Sequence, residues 1–181
     1  MSAAVTADIA ARLARIRLLL LDVDGVLTDG RLYYGADGET LKAFHARDGL
    51  GLRLVMAAGL TVGIVTGRRG PALAARCRDL GITLVFDGVR DKAGVLEAIV
   101  ARTGIDPEQM AFVGDDLVDL GLMRRVGLAA AVADADDLVR AAAHLVTAAP
   151  GGRGAVREIC RHWLVARGEW PRTLARLGAD P

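Results

Sequence analysis

Residues 17–30 read RLLLLDVDGVLTDG. The unbroken leucine run Leu18–Leu21 is closed at once by Asp22, far too soon for a membrane span. A short all-apolar run of this kind fits a strand covered on both faces, which predicts β-structure over Arg17–Val23. Side chains alternate along a strand, so Asp22 and Asp24 can address one site at its end. For a bare Asp-x-Asp pair, a polar turn that caps the strand is the commoner reading. The longer string DVDGVLTDG is more specific, and carboxylates at the end of an apolar strand are costly unless a cation or a substrate uses them.

Outward from this strand, short apolar runs alternate with amphipathic segments. Further strands are expected at Leu60–Thr66, Thr83–Phe86, Met110–Gly114 and Gly127–Ala131, with a weaker one around His144–Val146. Helices are expected at Gly49–Ala58, Gly70–Leu80, Asp91–Thr103 and Asp116–Val126. Strands separated by helices imply right-handed crossovers and a Rossmann-like, three-layer α/β fold with a parallel sheet, whose ligands sit at the strands' carboxyl ends. Residues Gly30–Phe44 interrupt the alternation and read as a small inserted β-hairpin around Ala36-Asp37-Gly38, too short for a cap domain. The N-terminal stretch reads as a helix rather than a signal peptide, 151–168 as a terminal helix opened by GGRG, and the tail 169–181 as irregular. The expectation is one domain over residues 1–181.

The 181 residues are 52% hydrophobic and 25% charged, and 23 basic residues against 22 acidic ones leave a formal charge of +1. That balance gives no basic surplus for nucleic acid and no acidic tail, so the expected partner is a small molecule, with neither nucleic acid nor membrane. The only cysteines, Cys77 and Cys160, are expected as buried thiols in a cytoplasmic protein.

Three further strand ends carry chemistry. VTGRR places Thr66 and Gly67 where a hydroxyl and a backbone N–H could hold phosphoryl oxygens, although a simple turn would explain them alone. Lys92 opens a helix and reads either as a surface charge or as a point charge on phosphate and Asp22. FVGDDLVDL supplies Asp115 and Asp116 at a helix start. One is explained by capping, whereas two beside Asp22 and Asp24 suggest oxygen ligands for a hard cation such as Mg2+. Asp119, one turn on, is expected to hold local structure.

In this order, DVDGV, VTGR, Lys92 and GDD resemble the four motifs of the haloacid dehalogenase superfamily, over nearly the whole chain. The resemblance implies a phosphatase in which Asp22 attacks phosphorus and Asp24 is the general acid and base. Thr66 and Lys92 would balance the transferring charge. Mg2+ would rest on Asp22, the main-chain carbonyl of Asp24, and Asp115.

Within that superfamily, LKAFHARDGLGLR, TGR with Arg76 following, and GGRGAVREIC are similar to the capless phosphatases of 3-deoxy-D-manno-octulosonate 8-phosphate, a step in making lipopolysaccharide precursors. That resemblance implies a homotetramer joined by the hairpin, in which a neighbour's C-terminal segment helps to close the site. It also implies a substrate-binding set of Asp24, His45, Arg47, Asp48, Gly49, Arg53, Gly67, Arg68, Arg76 and Lys92. His45 departs from the asparagine common at its position in this family. Arg68 favours the eight-carbon sugar acid over a nonulosonate 9-phosphate, the alternative substrate. Arg153 is open between a helix start and a substrate contact, and His144 and His162 carry no assigned role. A signalling receiver domain also uses an acceptor aspartate, but its acidic pair comes first, whereas here the pair is late. A non-catalytic scaffold would have no need for so complete a set.

Overall fold

The fold grows from the leucine run. In the computed structural model, which describes residues 5–36 and 38–179, Leu18–Leu21 form strand β1, and all four side chains are buried. β1 pairs in parallel with β4 (Thr61–Val65) on one side and β6 (Met110–Gly114) on the other. β5 (Leu84–Phe86) extends the first side, and β7 (Leu128–Ala131) and β8 (Leu145–Val146) extend the second, giving the order β5-β4-β1-β6-β7-β8. The chain runs outward in one direction through β4 and β5, then returns to the other side of β1 through β6. β1 is therefore the place where the order reverses, and its carboxyl end is where such a sheet forms its ligand crevice.

Helices complete the three-layer α/β fold expected from the alternation. Helix α1 (Ala7–Arg15) is opened by Thr6, whose hydroxyl accepts from the Ile9 N–H at 3.3 Å. It packs against α7 (Ala155–Ala166), which in turn packs against α2 (Ala46–Ala57), and the indole of Trp163 donates to the Ile16 carbonyl at 3.0 Å. Helices α3 (Pro71–Leu80), α4 (Leu96–Thr103), α5 (Leu120–Met123) and α6 (Asp137–Ala142) make the other connections. Among the described residues, no helix is long and apolar enough to cross a membrane.

The structure departs from the sequence reading at several helices. The segment 92–95 is a turn, so α4 starts at Leu96. Residues 116–126 divide into a 3-10 turn at Leu117–Asp119 and the short α5, because Asp116 and Asp119 cap that turn reciprocally. Helix α6, announced by the capping Asp136, was not foreseen. The tail is not irregular: Trp170–Arg176 form α8, with Pro171 in its first turn, where a missing N–H costs nothing. Cys77 and Cys160 are free and buried, and burial pushes both thiols above their ordinary range.

The insertion is a two-stranded antiparallel hairpin, β2 (Tyr33–Gly35) and β3 (Gly38–Leu41), separate from the main sheet. Asp37, at its expected tip, lies outside the described residues. Tyr34 is 62% exposed and Leu41 55%. Phe44 packs against the chain's own core instead, with the Arg76 guanidinium over its ring.

Candidate active site

Asp22 continues β1 by one residue, its N–H donating to Val113 O at 3.0 Å. The chain then turns sharply, and the turn is stitched internally: Gly25 N and Gly30 N both donate to the Thr28 hydroxyl, at 3.4 and 3.3 Å. Gly25 has a φ of +93°, and a Cβ there would stand 1.9 Å from Asp115 Oδ2. Only glycine lets the loop pass so close to that carboxylate. The GGRG string has a similar cause. A Cβ on Gly151 would lie 1.6 Å from the Gly25 carbonyl oxygen, and Gly152 N donates to Val26 O at 2.9 Å. GGRG thus braces the loop that carries Asp22 and Asp24.

A cavity of about 470 Å³ opens at these strand ends, lined by Asp22, Asp24, Thr66, Gly67, Arg68, Lys92 and Asp115 among others. Lys92 lies at the floor, its side chain only 3% exposed, with Nζ 2.9 Å from Asp22 Oδ1 and 2.6 Å from Asp119 Oδ1. Asp119 is fully buried and also accepts, at Oδ2, from the N–H groups of Asp115 (2.9 Å) and Asp116 (3.3 Å). This one side chain therefore fixes both the lysine and the start of the Asp115 loop. The local-structure role expected for it understates its position.

Burial dominates the electrostatics. It pushes the Asp22 carboxyl up to about 6 despite the opposing charge of Lys92. It pushes Asp115 up to about 8, with Asp22 and Asp119 adding repulsion. Burial works to lower Lys92, but Asp22 and Asp119 outweigh it and hold the ammonium above its ordinary value. Oxygens of Asp22, Asp115 and Asp119 can lie within 4.8 Å of one another. Both Asp119 oxygens already have donors, whereas Asp115 Oδ1 is buried without a hydrogen-bond partner among the described residues. An orphaned carboxylate oxygen next to a second carboxylate fits a hard divalent cation. Asp116 is instead spent on capping.

Asp24 is held differently. Lys42 Nζ donates to its Oδ1 and lies 3.0 Å from Glu39 Oε1. Arg68 is 3.8 Å from Asp24 Oδ2 and 4.0 Å from Glu39 Oε2, and also donates to the Tyr34 hydroxyl at 3.0 Å. Sequence reasoning missed Lys42 and Glu39, since a lysine and a glutamate on a hairpin ordinarily read as solvated charges.

Six residues expected at the substrate do not line this cavity: His45, Arg47, Asp48, Gly49, Arg53 and Arg76. Asp48 is buried and accepts from Gly154 N (3.2 Å) and Arg157 N (2.7 Å), so within the chain it caps α7. His45 precedes α2, with Nδ1 4.0 Å from Asp48. Arg53 and Arg76 share Asp79, and Arg76 also lies against Gly49. Arg47 lines a second cavity with Arg153, Arg157 and Arg161.

A family model of haloacid dehalogenase-like hydrolases matches residues 79–159. The 3-deoxy-D-manno-octulosonate 8-phosphate phosphatase of Escherichia coli K12 is 47% identical over 165 residues, covering 91% of this chain and 88% of that protein. The chain belongs to this phosphatase family. The crystal structure of the Yersinia pestis family member superposes with a TM-score of 0.88 at 47% identity, covering 90% of this chain and 88% of that one. The Moraxella catarrhalis phosphatase, solved in complex with magnesium ion, phosphate ion and KDO, gives 0.91 at 35% identity, covering 94% and 98%.

Proposed function

We propose that this chain, working over its whole length as one domain, is a Mg2+-dependent phosphomonoesterase. Its substrate is 3-deoxy-D-manno-octulosonate 8-phosphate, which it cleaves to the free sugar acid and phosphate. The observation that carries this reading is the shared opening of Asp22, Asp24, Thr66, Lys92 and Asp115 on one cavity, in a chain 47% identical to phosphatases of that name.

An Asp22 oxygen attacks phosphorus, and the P–O bond to the sugar breaks as Asp24 gives its proton to the leaving oxygen. Asp24, now a carboxylate, takes a proton from water. The water oxygen attacks the aspartyl-phosphate, and the P–O bond to Asp22 breaks, restoring the enzyme. Lys92 and the Thr66 hydroxyl offset the charge of the phosphoryl oxygens, with the Gly67 N–H beside them. Asp22 and Asp115, with the main-chain carbonyl of Asp24, would hold Mg2+, which supplies charge neutralisation for the dianionic phosphate. Arg68, which lines the cavity together with Arg90, offers the anionic sugar acid a guanidinium.

Four copies are proposed to assemble through the hairpin, in the cytoplasm, and in that assembly the six residues outside the cavity could meet substrate beside a neighbour. The test is a phosphate-release screen over sugar acid phosphates, simple sugar phosphates and nucleotides, with Mg2+ and with EDTA. The eight-carbon acid phosphate should give the highest kcat/KM, and EDTA should silence it. A nonulosonate 9-phosphate turned over more efficiently would establish the sister reading, and full activity without metal would overturn the scheme.

A further inference from the structure

Among the chain's 23 basic residues only two are lysines, Lys42 and Lys92; the others are arginine. Both lysines are buried, and each meets one of the two aspartates of the DVD string. Lys92 takes Asp22 and has an evident part in the chemistry. Lys42 takes Asp24, and nothing in the reaction scheme uses it.

The surroundings of Lys42 define what it can do. Its side chain is 1% exposed and does not line the cavity, so it reaches Asp24 from behind and cannot touch a substrate there. It follows the last residue of β3, and Glu39, at 3.0 Å, anchors it from the same strand. Arg68 closes a ring of alternating charge, Asp24–Lys42–Glu39–Arg68. Lys42 occupies Oδ1 of Asp24, which leaves Oδ2 as the oxygen able to carry a moving proton. A compact ammonium suits such a buried contact between two carboxylates.

We infer that Lys42, anchored by Glu39, is a positioning residue that fixes the Asp24 carboxylate for proton transfer to the leaving oxygen. The inference rests on the acid role proposed for Asp24. It assigns the hairpin a part in the chemistry within its own subunit. A carboxylate freed from Lys42 would rotate, and proton transfer depends on geometry before anything else.

A leaving-group comparison tests this. kcat/KM is measured for the alkyl phosphate the enzyme cleaves best and for p-nitrophenyl phosphate, whose phenolate leaves without a proton. Lys42→Met should lose about 10–100-fold on the alkyl ester and less than about threefold on the aryl ester. Asp24→Asn should show the same selectivity, and adding Lys42→Met to it should cost less than about threefold more. Equal losses on both esters, no loss, or losses that multiply in the double variant would overturn the inference and leave a structural role. An unselective Asp24→Asn would instead sink the acid role itself. Should Lys42→Met fail to fold, Glu39→Gln decides alone: a selective loss of about 3–10-fold supports the inference, and an unselective or absent one overturns it.

Discussion

Lys92 and Lys42 each pin one carboxylate of the same loop, but on different foundations. The Lys92 half is set into the sheet. Asp22 extends the central strand, Asp119 is fully buried against the end of β6, and Phe112 of β6 lies beneath the lysine at 5.9 Å. The Lys42 half hangs on a two-stranded excursion whose outer side chains are exposed. The nucleophile is thus held from within the sheet, whereas the proposed acid, on the same loop, is held by a side chain that the exposed hairpin supplies. This division suits the chemistry. The attacking oxygen must be fixed relative to phosphorus, whereas the group that serves first as acid and then as base must work on both sides of one turnover.

The largest expected effect breaks the two halves apart directly. Asp22→Asn should reduce phosphate release by about four orders of magnitude or more, since an amide cannot form the acyl phosphate. Asp24→Asn should cost about 10²–10⁴-fold, since it removes proton transfer but leaves the nucleophile. Both variants should keep the wild-type circular dichroism spectrum. Near-normal release by well-folded Asp22→Asn would end the covalent scheme.

The Lys92 half was the more legible of the two in the sequence. The leucine run, the strand ends and the order of Asp22, Thr66, Lys92 and Asp115 follow from local patterns that the sheet then brings together. The Lys42 half could not be read that way. Its ring joins residues 24, 39, 42 and 68, from three elements whose mutual placement no periodicity encodes. Resemblance carries residue identities but not distances, so it could not tell that Asp48, within its own chain, caps α7. The tail 169–181 reads as irregular, yet Pro171 falls in the first turn of α8, where proline is well tolerated.

A smaller and graded effect concerns the cation. Without it, Asp22 and Asp115 titrate near 6 and 8, above the ordinary carboxylate value of about 3.9. The folded protein then binds these protons more tightly than the unfolded chain. Their contribution to stability is complete below the ordinary range and is lost as pH rises through 6 to 8. Metal must displace the same protons, so the apparent Mg2+ affinity should weaken about tenfold per pH unit between about 8 and 6, where one proton competes, and more steeply below about 6, where two do. Thermal melts should show the Tm of chelated protein falling from pH 5.5 to 8.5. The rise in Tm produced by Mg2+ should be greatest at the alkaline end. A Mg2+ effect independent of pH would remove Asp22 and Asp115 as ligands.

The smallest expected effect tests what supports the exposed half. A lone two-stranded hairpin is marginal in water. Tyr33 and Leu41 stand opposite each other on it, both exposed. Burial against other copies would stabilise the hairpin, and through Glu39 and Lys42 would steady Asp24. Leu32 and Tyr34 are poor probes of this, because Leu32 lines the cavity and Tyr34 holds Arg68. Leu41→Asp is cleaner. Light scattering should give about four chain masses for the native protein and a smaller species for the variant. Activity on the sugar acid phosphate should fall about three- to tenfold, with a smaller fall on p-nitrophenyl phosphate, whose leaving group does not need Asp24. A native protein that is monomeric at micromolar concentration and fully active on its sugar acid phosphate would show that the hairpin needs no neighbour. The ring around Lys42 would then have to hold Asp24 without help from assembly.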